Sequence, residues 1–176
     1  MNTYLSLKFK IEQKFKTAKS KNDMRFYLLS LLALESGARV SDLLVLEWNN
    51  IDHDNKIISY VNKKSKKNQQ QIISTQMIEY INRYKEALEN NEVSNYIFYN
   101  SYKKNIMSRV TANRRTQKEF DINFHSLRKQ AGQNVANQKG VVVASKFLGH
   151  SKVSTTDIYL GISDKTYLEQ MKDLNI

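Results

Sequence analysis

Apolar residues recur every three or four positions over 22–36, where Phe26, Leu29, Leu32 and Ala33 share one helical stripe. Leu28, Leu31 and Leu34 fill the remaining circumference, and a helix apolar nearly all round belongs in the middle of a core. Asn22 or Asp23 is expected to cap its start, and Gly37 its end in the left-handed conformation that glycine adopts cheaply. Ser41-Asp42 is expected to cap a second, short helix carrying Leu43, Leu44 and Leu46. The period then changes. Residues 56–61 and 70–74 are β-branched and predict two short strands, joined by the polar run 62–69 as a hairpin. Helical spacing returns over 75–89, with Met77, Ile78, Ile81, Tyr84 and Leu88 in a stripe. Residues 96–98 read as a short buried extended piece, 103–117 as a basic helix, 125–137 as a helix with Leu127, Ala131, Val135 and Ala136 inward, and 141–148 as an apolar helix stopped by Gly149. In the tail, 163–174, Tyr167, Leu168, Met171 and Leu174 fall on one face. The first ten residues alternate polar and apolar, so the pattern assigns no element ahead of residue 22.

Composition narrows the function classes. With no proline and five glycines in 176 residues there is no flexible linker, and no repeat is present, so one compact unit is expected. No cysteine means no disulfide, no thiolate zinc site and no cysteine nucleophile. No run approaches the roughly 20 apolar residues that span a bilayer, and the N-terminus lacks the apolar core of a signal peptide, so a soluble, cytoplasmic chain with no membrane partner is expected. The 28 Lys and Arg against 17 Asp and Glu leave a net charge of +11, which draws the chain to polyanions, nucleic acid foremost; ordinary solubilising charge is the plainer alternative. Four of the positive charges crowd into the hairpin tip Lys63-Lys64-Ser65-Lys66-Lys67, where they repel one another unless water or an anion compensates them.

Candidate chemistry is confined to histidines and basic residues, because the His-Glu-x-x-His, Gly-Lys-Ser/Thr and repeated Asp patterns are absent. His125 and Arg128 stand three apart, one turn along a helix face, and a cation beside an imidazole suits a site built for an anion such as phosphate. Taken alone, His150 reads as a turn or capping residue, Tyr159 as a core aromatic and Arg39 as a surface cation. Taken together the pieces are more specific. Residues 35–44 (Glu-Ser-Gly-Ala-Arg-Val-Ser-Asp-Leu-Leu), the lysine hairpin, His125-Ser126-Leu127-Arg128, Leu148-Gly149-His150-Ser151 and Ser154-Thr155-Thr156-Asp157-Ile158-Tyr159 resemble, in order, the motifs of the tyrosine recombinases, the phage integrase family.

That resemblance implies a mixed α+β fold, mainly helical with a small antiparallel sheet, that of the tyrosine recombinase catalytic domain. It implies a site-specific DNA recombinase of the integrase, invertase or resolvase type, cutting and rejoining double-stranded DNA through a 3′-phosphotyrosine without metal, ATP or other cofactor. By motif position Arg39 and Arg128 stabilise the charge on the phosphate, Tyr159 is the nucleophile, His125 moves the tyrosine proton, and His150 bonds the phosphate or positions the nucleophile. The leaving 5′-oxygen takes its proton from a hairpin lysine, with Lys64 before Ser65 preferred over Lys63, Lys66 and Lys67. Asp42 is expected to cap or hold the Arg39 loop, and the hairpin lysines, Arg109, Arg114, Arg115, Lys129, Lys139 and Lys152 to contact phosphates. The chain is expected to be one catalytic domain over 1–176, with its core over about 22–162, its tail over 163–176 and no N-terminal core-binding domain, either as a fragment or as a minimal enzyme. A tetramer on DNA is implied, its tails exchanged between protomers or folded back in cis. A DNA-binding module without catalysis and a type IB topoisomerase are the alternatives.

Overall fold

The computed structural model describes residues 3–89, 94–149, 171, 172 and 174. At its centre lies α2 (Lys21–Ser36), in which every residue from 24 to 36 is buried. Its cap lies upstream of the expected residues: Ser20 Oγ accepts from the Asp23 amide at 3.1 Å and donates to the Asp23 carboxylate at 2.7 Å. Its end is the predicted one, with Gly37 at φ 61° and its N–H on Ala33 O. Against α2 pack α1 (Thr3–Lys16), α4 (Thr75–Ala87) and α6 (Phe124–Lys139).

Helix α1 corrects the sequence reading. Tyr4, Lys8, Ile11 and Phe15 form its buried face, at helical spacing. The pattern is hidden because Leu5 and Phe9 point outward while a lysine occupies a core position. Lys8 is tolerated there because Glu35 of α2 lies 3.2 Å from its ammonium, and Glu35 also accepts from the Ser74 hydroxyl (2.7 Å) and amide (3.1 Å).

A second correction concerns α3 (Val40–Leu43), whose cap position is Arg39 with no side-chain cap bond. Asp42 turns instead to the sheet, accepting from the Lys63 amide at 3.1 Å. That sheet has the antiparallel order β1 (Ile51–Asp52), β2 (Ile57–Val61), β3 (Asn68–Ile72). Its register, Ile58 opposite Gln71 and Tyr60 opposite Gln69, puts Ile58, Tyr60, Gln69 and Gln71 on one face. The second strand lies two residues earlier than expected: Asn68 and Gln69 pair with Val61 and Tyr60, and at the other end Ser74 caps α4 by accepting from Met77 N.

The expected basic helix over 103–117 is also displaced. Residues 101–104 turn the hairpin between β4 (Tyr99–Asn100) and β5 (Asn105–Ile106), and α5 (Arg109–Phe120) starts after the cap Ser108. The buried piece near 97 is confirmed by Ile97 and Phe98, with Ile97 N donating to Leu46 O. Finally, α7 (Val141–Phe147) folds back on α6. These two helices bury Ala131, Val135, Val143, Ala144 and Phe147 with Met171 and Leu174, a cluster separate from the larger one around α2. Tyr167 and Leu168 lie outside the described residues.

Candidate active site

Two glycines allow the parts of the site to meet. A Cβ on Gly37 would lie 2.4 Å from the Phe147 ring, and one on Gly132 would lie 2.7 Å from a Leu148 methyl. With no Cβ at either position, the end of α2, the middle of α6 and the end of α7 approach one another closely. Into that junction α6 sends Arg128, whose Nη1 donates to Gly37 O and Nη2 to Leu148 O, both at 2.5 Å. One guanidinium thus ties together the turn before Arg39 and the residue before Gly149.

The partners of Arg128 are carbonyls, which orient its charge but do not neutralise it. Among the described residues neither Arg128 nor Arg39 forms an ion pair. Arg128 is 6% exposed, and its pKa is held down to about 10, first by burial and then by the like charge of Arg39, with Tyr60 and Asp42 acting the other way. The bond from Arg128 to Gly37 O, two residues before Arg39, brings the two arginines, 89 positions apart in sequence, into one locality. Arg39 Nη1 is buried with no hydrogen-bond partner among the described residues, as is Asp42 Oδ2. A pair of guanidinium groups with a donor to spare is a site for an anion.

The lysine hairpin is fixed at its base and open at its tip. Asn62, 2% exposed, accepts from the amides of Lys64 (3.0 Å) and Ser65 (3.2 Å), while Lys66 takes a left-handed φ of 59° to close the turn. The side chains of Lys63, Lys64, Lys66 and Lys67 are exposed. Beside the hairpin a cleft of about 730 Å³ is lined by Asp42, Tyr60, Lys63, Lys66 and Lys146 among others. On β3, Gln71 Nε2 donates to Phe147 O at 2.7 Å, and its side chain lies near the Tyr60 hydroxyl. Burial outweighs the influence of Gln71 and the nearby arginines, pushing the Tyr60 hydroxyl up to about 12.

His125 and Arg128 line one cleft of about 390 Å³ between α6 and α7, as their spacing predicts, with His125 exposed beside Lys129. The α6 start that sets this phase is capped by Asn123, which accepts from Ser126 N at 2.9 Å. Arg39, Arg128, Asp42 and the hairpin are therefore brought to one region, with His125 at its Arg128 side. His150 and Tyr159 lie outside the described residues. Arg109, Arg114 and Lys129 are exposed, but Arg115 is engaged elsewhere, paired with Asp23 and stacked 4.4 Å over the Phe26 ring. Sequence reasoning missed Tyr60, Gln69 and Gln71; the signal available was glutamine at alternate positions of a strand, where a core face normally carries aliphatic side chains.

Residues 7–166 match the family model described as the phage integrase family. A probable integrase/recombinase of Acholeplasma phage L2 is 29% identical over 163 residues, covering 89% of this chain and 55% of that protein. A probable integrase/recombinase of Bacillus subtilis (strain 168) is 26% identical over 149 residues, covering 81% of this chain and 80% of the other. This chain therefore spans little more than half the length of the first relative. Among solved structures, the XerH site-specific recombinase in a post-cleavage complex with a palindromic difH substrate superposes with a TM-score of 0.72 at 16% identity, covering 98% of this chain and 52% of that one. XerA recombinase gives 0.66 at 20% identity, covering 96% and 64%. At these identities the structural likeness speaks for the fold, which is that of tyrosine recombinase catalytic domains.

Proposed function

The chain belongs to the phage integrase family, and from that premise we propose that it is a tyrosine-type site-specific DNA recombinase acting on double-stranded DNA. Tyr159 Oη bonds to the scissile phosphorus as the bond from phosphorus to the 5′-oxygen breaks, leaving a 3′-phosphotyrosine and a free 5′-hydroxyl. The phosphodiester's energy is kept in the covalent intermediate, so rejoining needs no ATP. Arg39 and Arg128 stabilise the charge that develops on the non-bridging oxygens, and no metal or other cofactor takes part. His125 receives the tyrosine proton, His150 bonds the phosphate, and Lys64 gives its proton to the departing oxygen. The reaction is cytoplasmic and runs in a tetramer holding two duplexes, with the C-terminal tails either exchanged between protomers or folded back in cis.

The observation that supports this reading best is the arginine pair. A buried guanidinium held only by carbonyls, with a second cation beside it, is costly in the free protein. Asp42 and Tyr60 offset part of that cost, and an anion arriving between the arginines would offset more. The test uses EDTA and a library of duplexes whose strands are nicked so that cleavage cannot reverse. An SDS-resistant DNA adduct is expected, absent in Tyr159→Phe. DNA binding without any adduct would favour a binding module, whereas relaxation of supercoils without strand exchange would favour topoisomerase chemistry.

A further inference from the structure

Gln71 is 1% exposed on the inner face of the sheet, where an amide is costly unless bonded. It donates to Phe147 O, one of the terminal carbonyls of α7 that have no donor within the helix. A side chain of equal size without a donor would fill the space but lose that bond, so packing alone does not explain the glutamine. Two positions earlier, Gln69 Oε1 lies 2.7 Å from where a Cβ of Gly149 would stand, and Asn62 Nδ2 lies 3.3 Å from it. Gly149 has φ +60°, so the chain leaves α7 across the inner face of β3 in a conformation that glycine allows. The strand that continues from the lysine hairpin is thus bonded at Gln71 to Phe147, three residues before His150, and lies against Gly149 at Gln69.

Resting on the recombinase reading, we infer that Gln71, with Tyr60 beside it, is a positioning residue that sets the lysine hairpin against the end of α7 and so governs protonation of the departing 5′-oxygen. The arginine pair is held by different bonds, from Arg128 to Gly37 and Leu148. Phe147 adjoins Leu148, which holds Arg128, so the leaving atom must be varied to separate displacement of the acid from displacement of the arginine.

The experiment compares Gln71→Met and Tyr60→Phe with the unaltered chain, in EDTA, on the duplex recovered from the adduct screen. That duplex is made with either oxygen or sulfur as the 5′-bridging atom, because sulfur departs as a thiolate and needs no proton. At saturating DNA each variant is expected to cleave the oxygen substrate about tenfold to a hundredfold more slowly, the scale of a misplaced reacting group. On the sulfur substrate both are expected to match the unaltered chain, and the pH dependence of the oxygen reaction flattens. Equal losses on both substrates, or no loss on either, would overturn the assignment. If Gln71→Met fails to fold, as judged by its melting curve, Tyr60→Phe keeps its ring and decides alone by the same criteria. An unaltered chain that forms no adduct with either duplex removes the recombinase reading, and this inference with it.

Discussion

The two arginines occupy different environments, and substitution separates them. Arg39 Nη1 has no bond to lose, so Arg39→Lys is expected to abolish adduct formation with little change in melting temperature. Arg128→Lys forfeits two carbonyl bonds of a buried guanidinium, and a loss of about 1–3 kcal/mol in stability should accompany the loss of adduct, read by urea titration of both variants. Gly37→Ala meets two obstacles at once, a positive φ and a Cβ 2.4 Å from the Phe147 ring. About 2 kcal/mol or more of destabilisation is expected from strain and overpacking together. Shrinking the ring in Gly37→Ala/Phe147→Leu should recover only part of it. The motif residues were legible because chemistry restricts them to few residue types. Gln71 and Tyr60 were not, since their role depends on a carbonyl 76 positions away that no local pattern encodes.

Among the elements, α1 shows what a hydrophobic pattern can conceal. A lysine on its core face breaks the apolar period, and only the fold supplies the Glu35 that makes the lysine acceptable. Lys8→Met is expected to cost about 3 kcal/mol by stranding that carboxylate, and adding Glu35→Gln should restore more than half of it in a double-mutant cycle. Helix α1 is also tied to α5 by Lys14 and Glu119, 2.7 Å apart. The bond from Lys14 holds the Glu119 carboxyl below its ordinary value of 4.5, outweighing the opposing effect of burial. A depressed folded pKa means that the contribution is complete above 4.5 and is lost as pH falls through the folded value. The melting-temperature gap between the unaltered chain and Glu119→Gln should therefore be constant at neutral pH and close below 4.5. Where pattern reading succeeded, as with α2, α6 and α7, apolar residues recur at helical spacing along the core face and the ends carry Gly37, Gly140 and Gly149 at positive φ. It failed at the start of α5 because β5 and the turn before it are polar, so basic residues over 103–106 could not be told from the helix that follows.

For the whole molecule, charge and topology carry separate information. A net charge of +11 announces a polyanion without locating it; the fold concentrates part of that charge in an exposed hairpin whose base is bonded to the Arg39 turn through Asp42. Replacing Lys63, Lys64, Lys66 and Lys67 by alanine should lower the slope of log affinity for duplex DNA against log salt by about 0.9 for each phosphate that is no longer neutralised, measured by fluorescence anisotropy. The order of motifs identified the fold class in advance, but the manner of convergence lies in bonds across long stretches of chain. Arg128 draws its two carbonyls from 91 residues upstream and 20 residues downstream. During synthesis, a ribosome will have released Arg39 and every lysine of the hairpin well before Leu148 emerges. For that interval the nascent polypeptide carries the hairpin cations but no assembled arginine pair, so the anion site is completed only once translation has passed the last helix that the pair requires.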